Sequence, residues 1–139
     1  MRKNSKKFIQ KETAHIVFFL GTVRQDVDVN IDGIFLECYE DLAIQQLNKI
    51  RERSMKKWKL NDCVIIHRIG DLQISDKIVL VIAAAPHRSD CIQACEYIID
   101  ALKANVALWK FNTKENEKKP VEQKKKDMDK YLTWNEVIN

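Results

Sequence analysis

The nine residues 78–86, IVLVIAAAP, constrain this chain more than any other segment, because they form its longest apolar run. A membrane-spanning helix needs about 20 such residues. This run has the length of a strand, and because every position in it is apolar, it predicts a central strand rather than one with a wet face.

The segments around it supply the rest of a sheet and its cover. Residues 14–23, AHIVFFLGTV, are branched and aromatic and read as a second buried strand, broken by Gly21. Residues 33–39, GIFLECY, read as a strand that runs into Asp41, a residue suited to cap a helix. From 41 to 59 the small or apolar positions Ala43, Leu47, Ile50, Ser54 and Trp58 recur at helical spacing among Gln, Lys, Arg and Glu, which predicts an amphipathic surface helix. Residues 62–69 and 77–85 read as strands joined by a turn around Gly70, Asp71 and Asp76. Ser89 is placed to cap a second helix, running to about Lys103, that turns Cys91, Cys95, Ile98 and Leu102 to one face with Ile92 and Ile99 beside them. Residues 106–111, VALWKF, predict a short strand, and the lysine-rich stretch 112–130 a mobile loop or an exposed helix. Strands 14–39 and 62–85 are each linked by connections of hairpin length, so an α+β domain with a mostly antiparallel sheet fits better than a doubly wound one.

A chain of 139 residues holds one well-buried core, here residues 14–139, preceded by a basic leader at 1–13. That leader carries Arg2, Lys3, Lys6, Lys7 and Lys11 with no acidic residue before Glu12, so it accounts for the net charge of +4 and leaves the body near neutral. A nucleic-acid binder would instead cluster its cations on a folded element, with aromatics between them. No apolar segment with a cleavage site follows the leader, which argues against a signal peptide. Cys38, Cys63, Cys91 and Cys95 form no CxxC pair and read as reduced thiols used as small hydrophobes, in a cytoplasmic protein. His87, Cys91 and Cys95 are spaced by four, but Pro86 and Ser89 start the helix after His87 and no fourth ligand is evident, so no metal site is expected.

With only three glycines and no GxGxxG, Walker, GxSxG or HExxH pattern, an anionic ligand must be held by side chains. The cations sit where strands end: Arg24, the pairs His67-Arg68 and His87-Arg88, and Lys110. One such residue is usually a solvated strand-end charge. Two His-Arg pairs, each closing a long apolar strand, point together to an anion site at which the strand ends converge.

The segments FLGTVR (Phe19 to Arg24), LECYE (Leu36 to Glu40), IHRIG (Ile66 to Gly70), AAAPHR (Ala83 to Arg88) and LWK (Leu108 to Lys110) resemble, in order and approximate spacing, the motifs of the molybdopterin synthase catalytic subunit family. The resemblance covers about residues 14–111. It implies a hammerhead-like α/β fold, a central homodimer within a heterotetramer, and a small ubiquitin-like carrier ending in Gly-Gly at each end. The carrier's C-terminal thiocarboxylate would give up its sulfur to cyclic pyranopterin monophosphate, twice, to build the dithiolene. No cofactor and no metal are implied.

Carried onto this sequence, the resemblance implies that Arg24, His87, Arg88 and Lys103 bind substrate and that Lys110 is catalytic. Guanidinium forks would hold the phosphate and offset its repulsion of the thiocarboxylate. The neighbours Leu108 and Trp109, with cations nearby, favour a neutral amine on Lys110, suited to acid/base work or to attack on the carrier's acyl carbon. A second functional lysine is expected in the tail, where Lys114, Lys118 and Lys119 compete and Lys118 is preferred. The chain departs from the family's habit after the Trp-Lys pair, where Phe111 and Asn112 replace a basic residue and a glutamate, and Gln25 replaces an asparagine. The alternative reading is a non-catalytic module that binds a pterin or another phosphate metabolite. Such a module would bind the precursor yet release no product with loaded carrier.

Overall fold

A computed structural model describes residues 9–138; most of the basic leader therefore lies outside the described residues. Along the chain run β1 (His15–Thr22), β2 (Gly33–Glu37), α1 (Glu40–Lys57), β3 (Asp62–His67), β4 (Gly70–Gln73), β5 (Lys77–Ala85), α2 (Arg88–Asn105), β6 (Trp109–Lys114), β7 (Glu117–Val121), α3 (Lys125–Leu132) and α4 (Asn135–Ile138). They form an α+β domain with two antiparallel sheets, ordered β1-β5-β3 and β4-β2-β6-β7.

The apolar run is the central strand of the first sheet, as its composition predicts. Val81, Ala83 and Ala85 point from β5 into the main core, against Cys91, Ala94, Cys95, Tyr97, Ile98 and Leu102 of α2 and Ala43 and Ile50 of α1. Alanines on both the strand and the helix let the two backbones approach closely, and the cysteines fill the same core. Burial pushes the Cys63 thiol up to about 12 and Cys95 up to about 11, which suits inert packing groups. Among the described residues the opposite face of this sheet has no cover: Phe18, Leu20 and Ile66 remain 67%, 52% and 53% exposed.

The second sheet builds a smaller core of Val23, Ile31, Ile34, Leu36 and Leu72, and it corrects three sequence expectations. β1 and β2 do not form a hairpin. After β1 the chain crosses to the second sheet, held by Val23 N–H donating to Asp76 O at 2.8 Å and Ser75 N–H to Val23 O at 2.7 Å. The supposed turn at 70–76 contains β4, which pairs with β2; a Cβ at Gly33 would collide with the Leu72 carbonyl, so only glycine permits this pairing. The stretch 112–130 is neither loop nor simple helix. It completes β6, turns at Glu115 and Asn116 with φ of 50° and 66°, returns as β7 and then enters α3. Two positive φ values are what a two-residue hairpin turn of the primed kind requires.

The helices also start two residues earlier than predicted: Tyr39 and His87 occupy the N-cap positions, neither with a side-chain cap, in place of Asp41 and Ser89. Ser89 lies inside the first turn, accepting a hydrogen bond from Gln93 Nε2 at 2.9 Å. At the far end of the chain, Tyr131 and Trp134 pack on Tyr97 and Trp58, with the Trp58 and Trp134 rings edge-to-face at 5.9 Å. Trp134 Nε1 donates to Asp100 Oδ2 at 2.9 Å, and Lys130 pairs with Asp100 at 3.4 Å. Together these contacts fasten the C-terminal helices to α2.

Candidate active site

β6 is an interior strand of the second sheet, so Lys110 is flanked on both sides, by Leu36 of β2 and Val121 of β7. Directly paired residues share a sheet face, and Leu36 is a core residue. Lys110 therefore projects from the same face as the smaller core, although its side chain reaches solvent in the isolated chain. Its pKa is lowered, first by the loss of water around it, then by the positive charges of Lys124 and Arg24, while Asp26 pulls the other way. Three parts of the chain thus converge on one amine: the loop after β1, the strand β6, and the connector between β7 and α3. The lowering expected from sequence has the expected physical causes, desolvation and nearby cations, with the addition of Lys124. Nothing in the sequence marks that residue, since it opens the run Lys124-Lys125-Lys126 that reads as solvated charge.

Lys103 lies in the last turn of α2. α2 returns antiparallel to β5, so its C-terminus lies at the Lys77 end of that strand, the end at which Arg24 leaves β1. Arg24, Lys103, Lys110 and Lys124 therefore belong to one end of the domain. His67 and Arg68 also lie there: Arg68 Nη1 donates to Lys77 O at 3.1 Å, and His67 donates Nδ1–H to Arg68 O at 2.7 Å. Burial lowers the His67 pKa, against the opposing effect of its hydrogen bond to Arg68.

His87 and Arg88 are at the other end, so the expectation that all the strand ends converge fails within one chain. β1 pairs His15 with Ala85 and Thr22 with Lys77, so the length of β1, roughly 23 Å at about 3.3 Å per residue, separates Arg24 from the His87-Arg88 pair. Both residues of that pair are exposed at the start of α2.

The three tail lysines are divided by register. Lys118 pairs with Thr113, and Lys119 with Asn112. By alternation Lys114 and Lys119 share the face of Lys110, whereas Lys118 lies on the opposite face, its Nζ 3.5 Å above the Phe35 ring. That contact is a cation–π interaction that tethers the hairpin to β2.

A partly desolvated amine with Lys124 and Arg24 beside it, on an α+β domain, is an arrangement suited to acid/base or nucleophilic chemistry beside an anionic substrate. Comparison with known proteins specifies the class further. The profile of the MoaE protein family matches residues 2–105, stopping short of Lys110. The molybdopterin synthase catalytic subunit of Pyrococcus abyssi is 34% identical over 99 residues, covering 70% of this chain and 67% of that protein. The one from Haemophilus ducreyi is 33% identical, covering 84% and 78%. Among solved structures, molybdopterin synthase from Staphylococcus aureus superposes with a TM-score of 0.77 at 35% identity, over 82% of this chain and 84% of that one. A Helicobacter pylori complex of subunits 1 and 2 of molybdopterin-converting factor shares the fold, with a TM-score of 0.71 at 23% identity, over 82% and 75%. This chain belongs to the MoaE family, the catalytic subunits of molybdopterin synthase, which transfer sulfur in molybdenum cofactor biosynthesis.

Proposed function

We propose that this chain moves sulfur from the C-terminal thiocarboxylate of a small ubiquitin-like carrier to cyclic pyranopterin monophosphate, with Lys110 as the working amine. The observation that carries this reading is the lowered pKa of Lys110 between Lys124 and Arg24. The thiocarboxylate sulfur displaces an oxygen from a side-chain carbon of the pterin, forming C–S as C–O breaks and the oxygen leaves as water or on the opened phosphate, and the acyl C–S bond of the carrier then breaks. A neutral Lys110 either takes the proton from the water that attacks the acyl carbon or attacks that carbon itself. Either route returns the carrier with an ordinary carboxylate once water has been consumed.

Arg24 and Lys103 supply charge from the same end of the domain. His87 and Arg88 reach this site from a second copy of the chain, seated on the uncovered apolar face of the first sheet at Phe18, Leu20 and Ile66. The small carrier joins at each outer end, as the two-subunit Helicobacter pylori complex suggests. Lys118, held over Phe35, serves in this reading as a tether for the hairpin rather than as a second catalytic group. In this reading the reaction runs in the cytoplasm, a setting that the four free thiols fit; among the described residues no helix is long and apolar enough to cross a membrane.

Two substitutions test the role of Lys110 in single-turnover assays with thiocarboxylated carrier. Lys110→Ala abolishes transfer while carrier binding stays intact. Lys110→Arg keeps the charge but cannot release its proton, and is nearly as inactive. An arginine variant of near wild-type rate would reduce Lys110 to a phosphate counter-charge, and an active alanine variant would remove it from the site.

A further inference from the structure

The end of α2 is closed in an unusual way. A helix leaves its last four carbonyls without intrahelical donors. Here Leu102 O accepts from the Val106 backbone N–H at 3.1 Å, and the next two carbonyls are taken by one side chain from far along the chain. Gln123 Nε2 donates to Lys103 O at 2.7 Å and to Ala104 O at 3.2 Å. A primary amide carries two N–H groups, so one residue satisfies both acceptors. Gln123 itself is solvent-exposed, and a side chain in that setting is ordinarily left to water. On the other side of the same corner, Gln46 of α1 accepts from the Ala107 N–H at 2.9 Å. The corner that carries Lys103 into Lys110 is thus pinned from two directions.

The consequence lies in the residue that follows. Val121 is the cross-strand partner of Lys110, and after it the chain leaves the sheet through residues 122–124 to begin α3. Gln123 is the middle residue of that connector and Lys124 is the next. We propose that Gln123 is a positioning residue for Lys110: its amide fastens the connector to the end of α2 and so seats Lys124 beside the working amine. This rests on the reading of Lys110 given above. Glycine or alanine at 123 would leave the connector attached only through its ends, and Lys124 would swing into solvent. The groups facing the Lys110 amine are then Lys124 from the connector, together with Arg24 and Asp26 from the loop after β1. Of these, Lys124 depends on Gln123 for its place.

The test reads the Lys110 amine directly. The full-length protein is labelled with acetic anhydride across a pH series, and modification of the Lys110 peptide is followed by mass spectrometry. Gln123→Met is nearly isosteric and neutral, and it lacks the donors; Gln123→Ala serves as a second variant. Both shift the Lys110 labelling midpoint upward by about half a pH unit, a roughly threefold fall in neutral amine at a fixed pH below the midpoint. Lys124→Gln gives the same upward shift, and the double variant Gln123→Met/Lys124→Gln shifts no further than Lys124→Gln alone. A wild-type midpoint in Gln123→Met, or additive shifts in the double variant, overturns the proposal. Labelling does not depend on turnover, so its outcome is separate from that of the Lys110→Arg assay: an inert midpoint beside an inactive arginine variant rejects the role of Gln123 and keeps that of Lys110.

Discussion

If Arg88 serves the site of its neighbour, two dead proteins should make a live one. The geometry forces the choice, because the length of β1, roughly 23 Å, lies between the Lys110 end of a chain and its own Arg88. No side chain spans that distance. In an isologous dimer, each site then takes Lys110 from one protomer and Arg88 from the other. Co-express Lys110→Ala and Arg88→Ala chains with different tags and purify the hybrid by tandem affinity. In the hybrid, the site built from Lys110 of the Arg88→Ala chain and Arg88 of the Lys110→Ala chain is intact, while the other site carries both lesions. The hybrid should therefore show about half the wild-type sulfur transfer per dimer. Each parent homodimer has a lesion in both sites: Lys110→Ala is inactive, and Arg88→Ala loses a charge-assisted phosphate contact worth about 1.5–3 kcal/mol. Transfer is followed at a pterin concentration well below that needed by the Arg88→Ala homodimer. A hybrid no more active than the sum of its parents would refute shared sites and would require a chain fold that brings the two ends together.

Two further outcomes follow from the packing and the charges. Trp134→Ala removes the edge-to-face contacts with Trp58 and Tyr97 and the donor to Asp100, which is 6% exposed. It should cost about 3 kcal/mol in urea unfolding, toward the low end for a large aromatic because Trp134 is only half-buried; a loss under about 0.5 kcal/mol would mean that the C-terminal helices are not part of the cooperative unit. Lys110 has a lowered folded-state pKa, so between that value and the ordinary lysine value the unfolded chain binds more protons and stability rises with pH. Below that window its charge opposes folding. Lys110→Met should therefore unfold at higher denaturant than wild type near neutral pH, with the advantage shrinking as pH climbs toward the lysine range, and equal midpoints at neutral pH would contradict the desolvated amine.

The parts of this fold that could be read in sequence are those whose signal is local. The β5 run, the apolar face of α2 and the strands around residues 15 and 63 each carry their own pattern of burial. The division into two sheets depends on pairings between distant segments, and no local pattern encodes whether residues 33–37 meet β1 or β4. β7 was illegible for a different reason. Its sequence EKKPV has no apolar alternation because it is an edge strand, where lysines and a proline block further pairing. Its turn, Glu115-Asn116, lacks the Asn-Gly or Asp-Gly signature, and Glu115 adopts its positive φ with its N–H held by Asp32 Oδ2 at 2.9 Å. Distant contacts, rather than the turn residues themselves, stabilise that hairpin.

The same distinction governs the site. In sequence, Arg24 and Lys110 stand out as cations beside apolar strand segments, while the face on which a lysine projects is set by register alone. Along β6 and β7 a shift of one residue exchanges the two faces of the sheet. Lys110 faces the smaller core and loses water there, whereas Lys118, on the other arm of the same hairpin, stands over Phe35 with its ammonium against a ring. The first environment lowers a pKa, and the second sets an ammonium against a ring face. What separates the two lysines in this hairpin is therefore the pairing of Lys110 with Leu36, a relation between residues 74 positions apart in the chain that lysine content cannot express.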